Sequence, residues 1–198
     1  DPDIEKAGLL LPLDLNLQLS DDDHVSAHDF IIQRQISRRA LVGSTDANTP
    51  ILETSYRNVL NIMQAHLAQL DFFFGDRPGR TDFAMYGQLK PMLWWDPTPA
   101  ALAVERAPRA VNWTERIDDL SWLPIVDDDG WTALDDLEET VGHLLTEAGQ
   151  TYAPFMLAND EALRSGADEV VCEIRGNSYR QGPFKYQGKC LTWIRESY

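Results

Sequence analysis

An acidic residue at the start of a helix, just after a tight turn, constrains the fold of this 198-residue chain most strongly. The turn runs from Gly75 to Gly79, and Asp82 stands three residues after Gly79, the expected N-cap. A carboxylate there is stabilised by the exposed amides of the helix N-terminus, by roughly 0.3 to 1 kcal/mol. Because Gly79 has no side-chain oxygen, only the acidic half of a capping box is present. We therefore expect a helix start here and a structural role for Asp82, not acid–base chemistry.

Helical periodicity and capping signals cover most of the remaining chain. Ser20 followed by three aspartates predicts a helix that ends near Gly43. Thr49 with Pro50 begins the most regular helix, which we expect to run to about Asp71. Further helices are predicted at residues 82–89 (up to Pro91), 99–106 (capped by Thr98), 108–119, 132–145 (a capping-box pattern of Thr132 and Asp135), 152–164 and 186–195.

Two segments have the two-residue period of extended chain. Leucines occupy every odd position from Leu9 to Leu19, which favours a strand or strand-like connection. Residues 169–181 alternate around Gly176-Asn177, a two-residue turn signal that predicts a β-hairpin. We expect the first segment to pair with the hairpin in a small sheet, since each would otherwise leave backbone groups without partners.

These patterns predict a mainly α protein of one domain. A hydrophobic content of 43% suffices for a substantial core without disulfides or a metal. We expect an extended lead-in over residues 1–20, a helical bundle over 21–165, and a hairpin followed by a helix over 166–198.

The charge of the chain excludes several classes of partner. A net charge of −15 repels phosphate backbones and anionic membrane surfaces. The sequence has neither an apolar run long enough to span a membrane nor a signal-peptide pattern, so we expect a cytoplasmic protein. Cys172 and Cys190 lack metal-ligand spacing, which favours buried free thiols over a disulfide or redox pair.

Two acidic regions invite a metal-site interpretation that the sequence does not support. His24 and His28 stand one helical turn apart, but no third ligand follows at a recognisable spacing. The run from Asp127 to Gly130 would need an oxygen ligand where Ile125 stands if it were a calcium loop. We interpret the first as a solvated helix face and the second as an acidic loop, and we predict no metal.

Residues 74–89, 95–101 and 109–116 together resemble the C-terminal domain of the glutathione transferase family, in a bacterial branch. The resemblance is clearest from about residue 50 to residue 122. In that family the central helix opens with Ser or Thr, two residues and Asp; here Gly79 and Asp82 take those positions. The resemblance implies an all-helical domain that binds a hydrophobic electrophile, with no metal. It also implies homodimers, formed by the first helices of this domain together with a thioredoxin-like domain.

The same resemblance implies that glutathione binds to that thioredoxin-like domain, of which this sequence shows no pattern. We therefore expect the chain to be half of an enzyme that lacks the residue activating the glutathione thiol. On its own it should neither bind glutathione tightly nor turn over substrate.

Aromatic side chains are the candidates for the electrophile pocket, because such pockets are mostly apolar and aromatic. For any single one of them, core packing is the competing interpretation. The candidates are Tyr86, Trp94, Trp95, Tyr152 and Phe155.

Two other functions stay open at this point. The same helical fold serves as a non-catalytic interaction module in larger proteins, and an unrelated region upstream would favour that function. A carrier of apolar ligands is a third hypothesis, which would show as binding of hydrophobic dyes by the isolated chain.

Overall fold

The computed structural model describes residues 1–124 and 130–197, which form eight α-helices and one β-hairpin. The prediction of a mainly helical chain with a late hairpin and a final helix is therefore confirmed. The α-helices are α1 (Pro2–Leu15), α2 (Asp21–Arg38), α3 (Thr49–His66), α4 (Arg80–Lys90), α5 (Pro97–Arg106), α6 (Pro108–Asp118), α7 (Glu139–Ser165) and α8 (Lys185–Ser197). The strands are β1 (Val170–Ile174) and β2 (Asn177–Gln181).

The chain divides into two compact units whose boundaries fall inside α1, α3 and α7. Unit one comprises Asp1–Asp3 and Arg57–Leu145, and unit two comprises Ile4–Tyr56 and Thr146–Tyr198.

Unit one packs α4, α5 and α6 with the second half of α3. Phe73 stacks on His66 and meets Trp113 edge-on, with ring centroids 5.3 and 5.8 Å apart respectively. Pro91 begins a π-helical turn, Pro91–Trp95, because a proline offers no amide to continue the α-helical pattern. The buried apolar residues of this unit include Leu60, Met63, Phe72, Phe73, Leu89, Leu93, Ala103, Ala107, Ala110, Val111, Trp113, Ile117 and Val141.

Unit two is built around the hairpin and the second part of α7. Ile51, Ile174 and Tyr179 form a buried cluster, against which Phe155 and Cys172 pack. Cys172 and Cys190 are free thiols that are only partly buried, so the predicted burial is incomplete.

The extended lead-in predicted from the alternating leucines is wrong, since α1 covers Pro2–Leu15. The buried residues of α1 are Gly8 and Pro12, one helical turn apart. A Cβ on Gly8 would lie 2.5 Å from the His28 imidazole, so glycine permits the close approach of α1 to α2. The expected sheet between this segment and the hairpin is wrong for the same reason. Leucine is a strong helix former, and its propensity outweighs the alternating pattern.

Four predictions of helix boundaries also need correction. Residues 134–136 form a short 3-10 turn, and α7 begins only at Glu139. This helix then runs through Pro154 without a break and joins the two predicted helices, because one proline removes a single helical hydrogen bond. Helix α5 begins at Pro97 with Asp96 as N-cap, and the Thr98 amide donates to the Asp3 carboxylate at 2.7 Å. Helix α3 ends at His66, earlier than predicted.

The hairpin turn lies one residue earlier than predicted. Ile174 pairs with Asn177, so the two turn residues are Arg175 and Gly176. Their φ angles of 51° and 74° are those of a type I′ turn. Arg175 is an unusual residue for positive φ, and its guanidinium is held by the nearly buried carboxylate of Glu147.

Candidate functional site

Asp82 joins the start of α4 to the loop that precedes it. Gly79 is the N-cap of α4 in an extended conformation, and its amide donates to Asp82 Oδ2 at 2.9 Å. The Phe73 amide donates to Asp82 Oδ1 at 3.1 Å. Both carboxylate oxygens are thus engaged, and the side chain is fully buried. The carboxylate therefore ties three separate points of the chain together.

Trp131 lies close to the N-cap glycine of α4. The Asp76 amide donates to the Gly130 carbonyl and the Thr132 amide to the Phe74 carbonyl, both at 2.8 Å. These bonds hold Trp131 over the N-terminus of α4, where a Cβ on Gly79 would lie 3.3 Å from the indole ring. A Ser or Thr at this cap would be tightly crowded by the indole.

Burial raises the pKa of Asp82 above its ordinary value of 3.8, although several donors act in the opposite direction. The Gly79 and Phe73 amides favour the charged carboxylate, as does the Trp113 indole, which lies near it without forming a hydrogen bond of standard geometry. A raised carboxyl pKa is also a property of general acids. Here both oxygens face backbone amides and none of the side chain is exposed, so the geometry is that of a structural group.

Tyr86, Lys90 and Trp94 form a line along α4 and the π-helical turn, facing α6. The Tyr86 hydroxyl donates to Asp118, and the Lys90 ammonium pairs with Glu115 and Asp118. The Trp94 indole N–H donates to Thr114 Oγ1 at 2.7 Å, and Lys90 Nζ lies 5.2 Å from the centre of the Trp94 ring. Trp94 stays 45% exposed, so its apolar face is open to a ligand while its polar group is occupied.

The electrostatics of this cluster favour a charged Lys90 and Asp118 and a neutral Tyr86. The hydrogen bonds from Lys90 and Tyr86 lower the pKa of Asp118. The same bond to Asp118 raises the pKa of Tyr86, which makes a tyrosinate unfavourable here. Burial alone would lower the pKa of Lys90, but hydrogen bonds to Asp118 and Glu115 together raise it.

The other three predicted site residues have different surroundings. Trp95 is half-buried at the end of the π-helical turn. Tyr152 and Phe155 lie on α7 in unit two. The Tyr152 hydroxyl donates to Gln187 at 3.2 Å, and Phe155 packs edge-on against Tyr179. Phe155 is thus a core contact, whereas Tyr152, 44% exposed, retains an accessible ring.

A small open cavity of about 120 Å³ lies between α6 and the residues that follow α3. Its polar wall is one side of α6, where Arg109, Asn112 and Arg116 recur at helical spacing. These residues belong to the segment 109–116, which carries part of the family resemblance, and their i, i+3, i+7 spacing is the sequence signal for a shared helix face. The cavity is lined by Leu67, Leu70, Asp71, Arg109, Asn112, Trp113 and Arg116.

The two metal interpretations have simple outcomes. His24 Nε2 is hydrogen-bonded to the Leu9 carbonyl at 2.8 Å, and His28 Nδ1 to Asp29 at 2.9 Å. Within residues 1–124 and 130–197, no group of three or more His, Cys, Asp or Glu side chains could hold a metal ion. The predicted acidic loop at residues 127–129 lies outside the described residues.

The fold and the site together define a mainly helical protein in which a buried carboxylate caps a central helix. No family model, no curated protein and no solved structure matches the chain. Among the described helices, none is both long enough and apolar enough to cross a membrane.

Proposed function

We propose that this chain is the C-terminal, electrophile-binding domain of a glutathione transferase-like protein. The observation that carries the proposal is the capping of α4 by Asp82, which accepts from the Gly79 amide within the helix start and from the Phe73 amide in the preceding loop. This is the structural role that the resemblance implies for the Asp of the family motif.

The reaction follows from that proposal. The parent protein transfers the glutathione thiolate to a hydrophobic electrophile in the cytoplasm, with glutathione as co-substrate held by a thioredoxin-like domain. The present chain contributes the apolar surface that positions the electrophile. No residue of this chain acts as a catalytic group.

The open ring of Trp94 is the best candidate for that surface. Lys90 lies over one side of its ring, and Tyr86 binds the same carboxylate, Asp118, as Lys90 does. Because the polar groups of both aromatic residues are already bound to α6, what this surface offers an incoming ligand is aromatic area.

Binding of a chlorinated nitroaromatic compound, measured by equilibrium dialysis, tests this assignment. Trp94→Leu should weaken binding by about tenfold, because stacking on an aromatic anchor is lost. Trp122→Leu is a matched control, since Trp122 is 42% exposed and is likewise covered by a cation, Arg116 at 4.1 Å. Equal binding by the wild type and both variants would remove Trp94 from the site.

The native gene product tests the function itself. Its intact mass and N-terminal sequence should show a thioredoxin-like region ahead of Asp1, and the product should consume glutathione in the presence of the same electrophile. An unrelated region upstream, or a product without this activity, would contradict the proposal.

A non-catalytic interaction module is the alternative, and exposed apolar side chains in unit two favour it. They lie on α1, α2 and the turns beside them, and an excess of exposed apolar side chains often marks an interface. The side chains concerned are Leu9, Leu10, Leu15, Leu17, Val25, Phe30, Ile36, Leu41 and Val42.

We expect a homodimer both for this alternative and for the enzyme, and dimer formation can be measured without an activity assay. Light scattering over a dilution series tests whether the exposed apolar side chains of unit two form the dimer interface. The wild type should have the mass of a homodimer at high concentration, and Phe30→Ser should shift it toward the monomer. Phe83→Ser in unit one is the control, because Phe83 is also about half exposed. A monomer at every concentration would contradict the homodimer.

A further inference from the structure

The cavity beside α6 concentrates positive charge in a chain whose net charge is −15. Arg109 and Arg116 both line it, with Asn112 between them on the same side of the helix. Acidic residues outnumber basic ones in the sequence, 32 to 17, whereas the cavity is lined by two arginines and one aspartate, Asp71, which is a local reversal of sign. Such a reversal attracts an anionic ligand.

The two arginines differ in how firmly they are held. Arg116 lies 3.3 Å from the Asp71 carboxylate and 4.1 Å from the centre of the Trp122 ring, so its position is fixed from two sides. The Arg109 backbone amide donates to Gln64 at 3.0 Å, which fixes the start of its side chain. Within the described part of the chain, no carboxylate pairs with the Arg109 guanidinium. Arg109 therefore presents a planar fork of donors that a ligand can occupy.

Apart from Asp71, the remaining wall of the cavity is apolar. Leu67 and Leu70 lie on the side that follows α3, and the buried Trp113 lies on the α6 side. A guanidinium fork matches a carboxylate through two parallel hydrogen bonds, whereas the apolar wall suits a short hydrocarbon chain. The combination selects a molecule with one charged end and one apolar end.

The size of the cavity limits the length of that molecule. A closed apolar cavity of about 150 Å³ holds benzene. The present cavity measures about 120 Å³ and is open to solvent on one side. It can therefore hold the hydrocarbon part of a small carboxylate with about as many heavy atoms as benzene, leaving the carboxylate at the mouth.

We propose that this cavity binds a small aliphatic carboxylate, with the carboxylate on Arg109 and the hydrocarbon chain against Leu67, Leu70 and Trp113. Asp71 opposes an anion in the cavity, but its pairing with Arg116 reduces that repulsion. The site does not depend on the proposed transferase function. On α6, Arg109 and Asn112 lie about half a turn away from Thr114 and Asp118, which face the Trp94 cluster.

Titration of the isolated chain with sodium butyrate tests the proposal, followed by NMR signals of the arginine Nε–H and tryptophan Nε1–H groups. The Arg109 and Trp113 signals should shift and saturate. Arg109→Gln should weaken binding by at least about tenfold, as expected when a charged hydrogen-bond partner is removed. Arg106→Gln, a surface arginine at the end of α5 outside the cavity lining, should bind butyrate as the wild type does.

Two probes separate the chemistry of the site from general charge attraction. Butyramide has the shape of butyrate without its charge and should give no saturating shift. Inorganic phosphate has the charge without the hydrocarbon chain and should bind more weakly than butyrate. Equal binding of butyrate by Arg109→Gln, or an equal response to butyramide or to phosphate, would overturn the proposal.

Discussion

In both units, buried polar side chains form hydrogen bonds to backbone groups, but the chemistry of these side chains differs between the units. In unit one, the Asp82 carboxylate accepts from the Gly79 and Phe73 amides. In unit two, the neutral side-chain amides of two asparagines form the corresponding hydrogen bonds. Asn48 bonds both the carbonyl and the amide of Arg180, at 2.8 and 3.4 Å. Asn159 bonds the amide and the carbonyl of Phe184 in the same way, at 2.7 and 3.0 Å.

The difference follows from what each side chain can offer. A carboxylate only accepts, so Asp82 can join two amides from different parts of the chain. A carboxamide both donates and accepts, so Asn48 pairs with one residue of β2 much as a neighbouring strand would. The contribution of Asp82 to stability depends on pH because a carboxyl group titrates. The contribution of Asn48 does not, because a carboxamide keeps no titratable proton in this range.

Truncation of Asp82 should have the largest effect. Asp82→Ala leaves two backbone amides buried without acceptors, which we expect to lower the free energy of unfolding by about 3 kcal/mol. Urea melts of the variant and the wild type measure this. Asp135→Ala is the control, because Asp135 is exposed; an equal midpoint for all three proteins would show that the capping carboxylate contributes nothing.

Truncation of Asn48 should have the second-largest effect, about 2 kcal/mol, because one donor and one acceptor of Arg180 lose a neutral partner. The same melts should show this loss to be equal at acidic and neutral pH. Asn61→Ala, an exposed change within α3, should be neutral. If Asn48→Ala matched that control, the hairpin would not depend on its carboxamide.

The pH dependence of stability should distinguish the contribution of Asp82 from that of Asn48. Because burial raises the pKa of Asp82, the folded state holds its proton more tightly than the unfolded state does. This contribution to stability is full below about pH 3.8. It is lost as pH rises through the folded-state pKa.

Asp82→Asn keeps the shape of the side chain but cannot titrate. The advantage of the wild type over this variant should therefore shrink as pH rises from about 3 to about 7. Urea melts at a series of pH values measure the difference, in which the other carboxyl groups cancel. A difference that grows with pH would show that the folded state lowers the pKa of Asp82 instead of raising it.

Adding a hydroxyl group at the N-cap of α4 should have the smallest effect on the free energy of unfolding. Gly79→Ser gains a capping oxygen but meets the Trp131 indole, so we expect a change within about 0.5 kcal/mol. In a Trp131→Ala background the same substitution should be more favourable, because the space above the cap is free. Equal changes in both backgrounds, from the same melts, would show that Trp131 does not select glycine.

The sequence predicted those elements whose signals are local. Ser20 caps α2, with its hydroxyl accepting from Asp23, and Gly43 ends the following turn in the left-handed conformation. The start of α4 after Gly79 is similarly local. Helix α1 was missed because its alternating leucines imitate a strand, while its burial depends on the distant contact of Gly8 with His28.

The candidate site was less predictable because its geometry depends on long-range partners. The spacing of Gly79 and Asp82 is visible in the sequence, but the Phe73 amide and Trp131 come from other parts of the chain. The cavity beside α6 likewise joins Arg109 to Leu67 through the packing of α6 on the residues after α3. Helical spacing alone indicated which residues share a face and left open what lies opposite.

A ¹³C NMR titration of the Asp82 carboxyl carbon measures whether burial or the amide donors dominate the pKa of this buried cap. We predict a midpoint above 3.8, because burial outweighs the amide donors, while Asp118 in the same spectra should titrate below 3.8. A midpoint for Asp82 at or below 3.8 would show the opposite, since the amides would then outweigh burial and ionisation of the carboxylate would stabilise the fold.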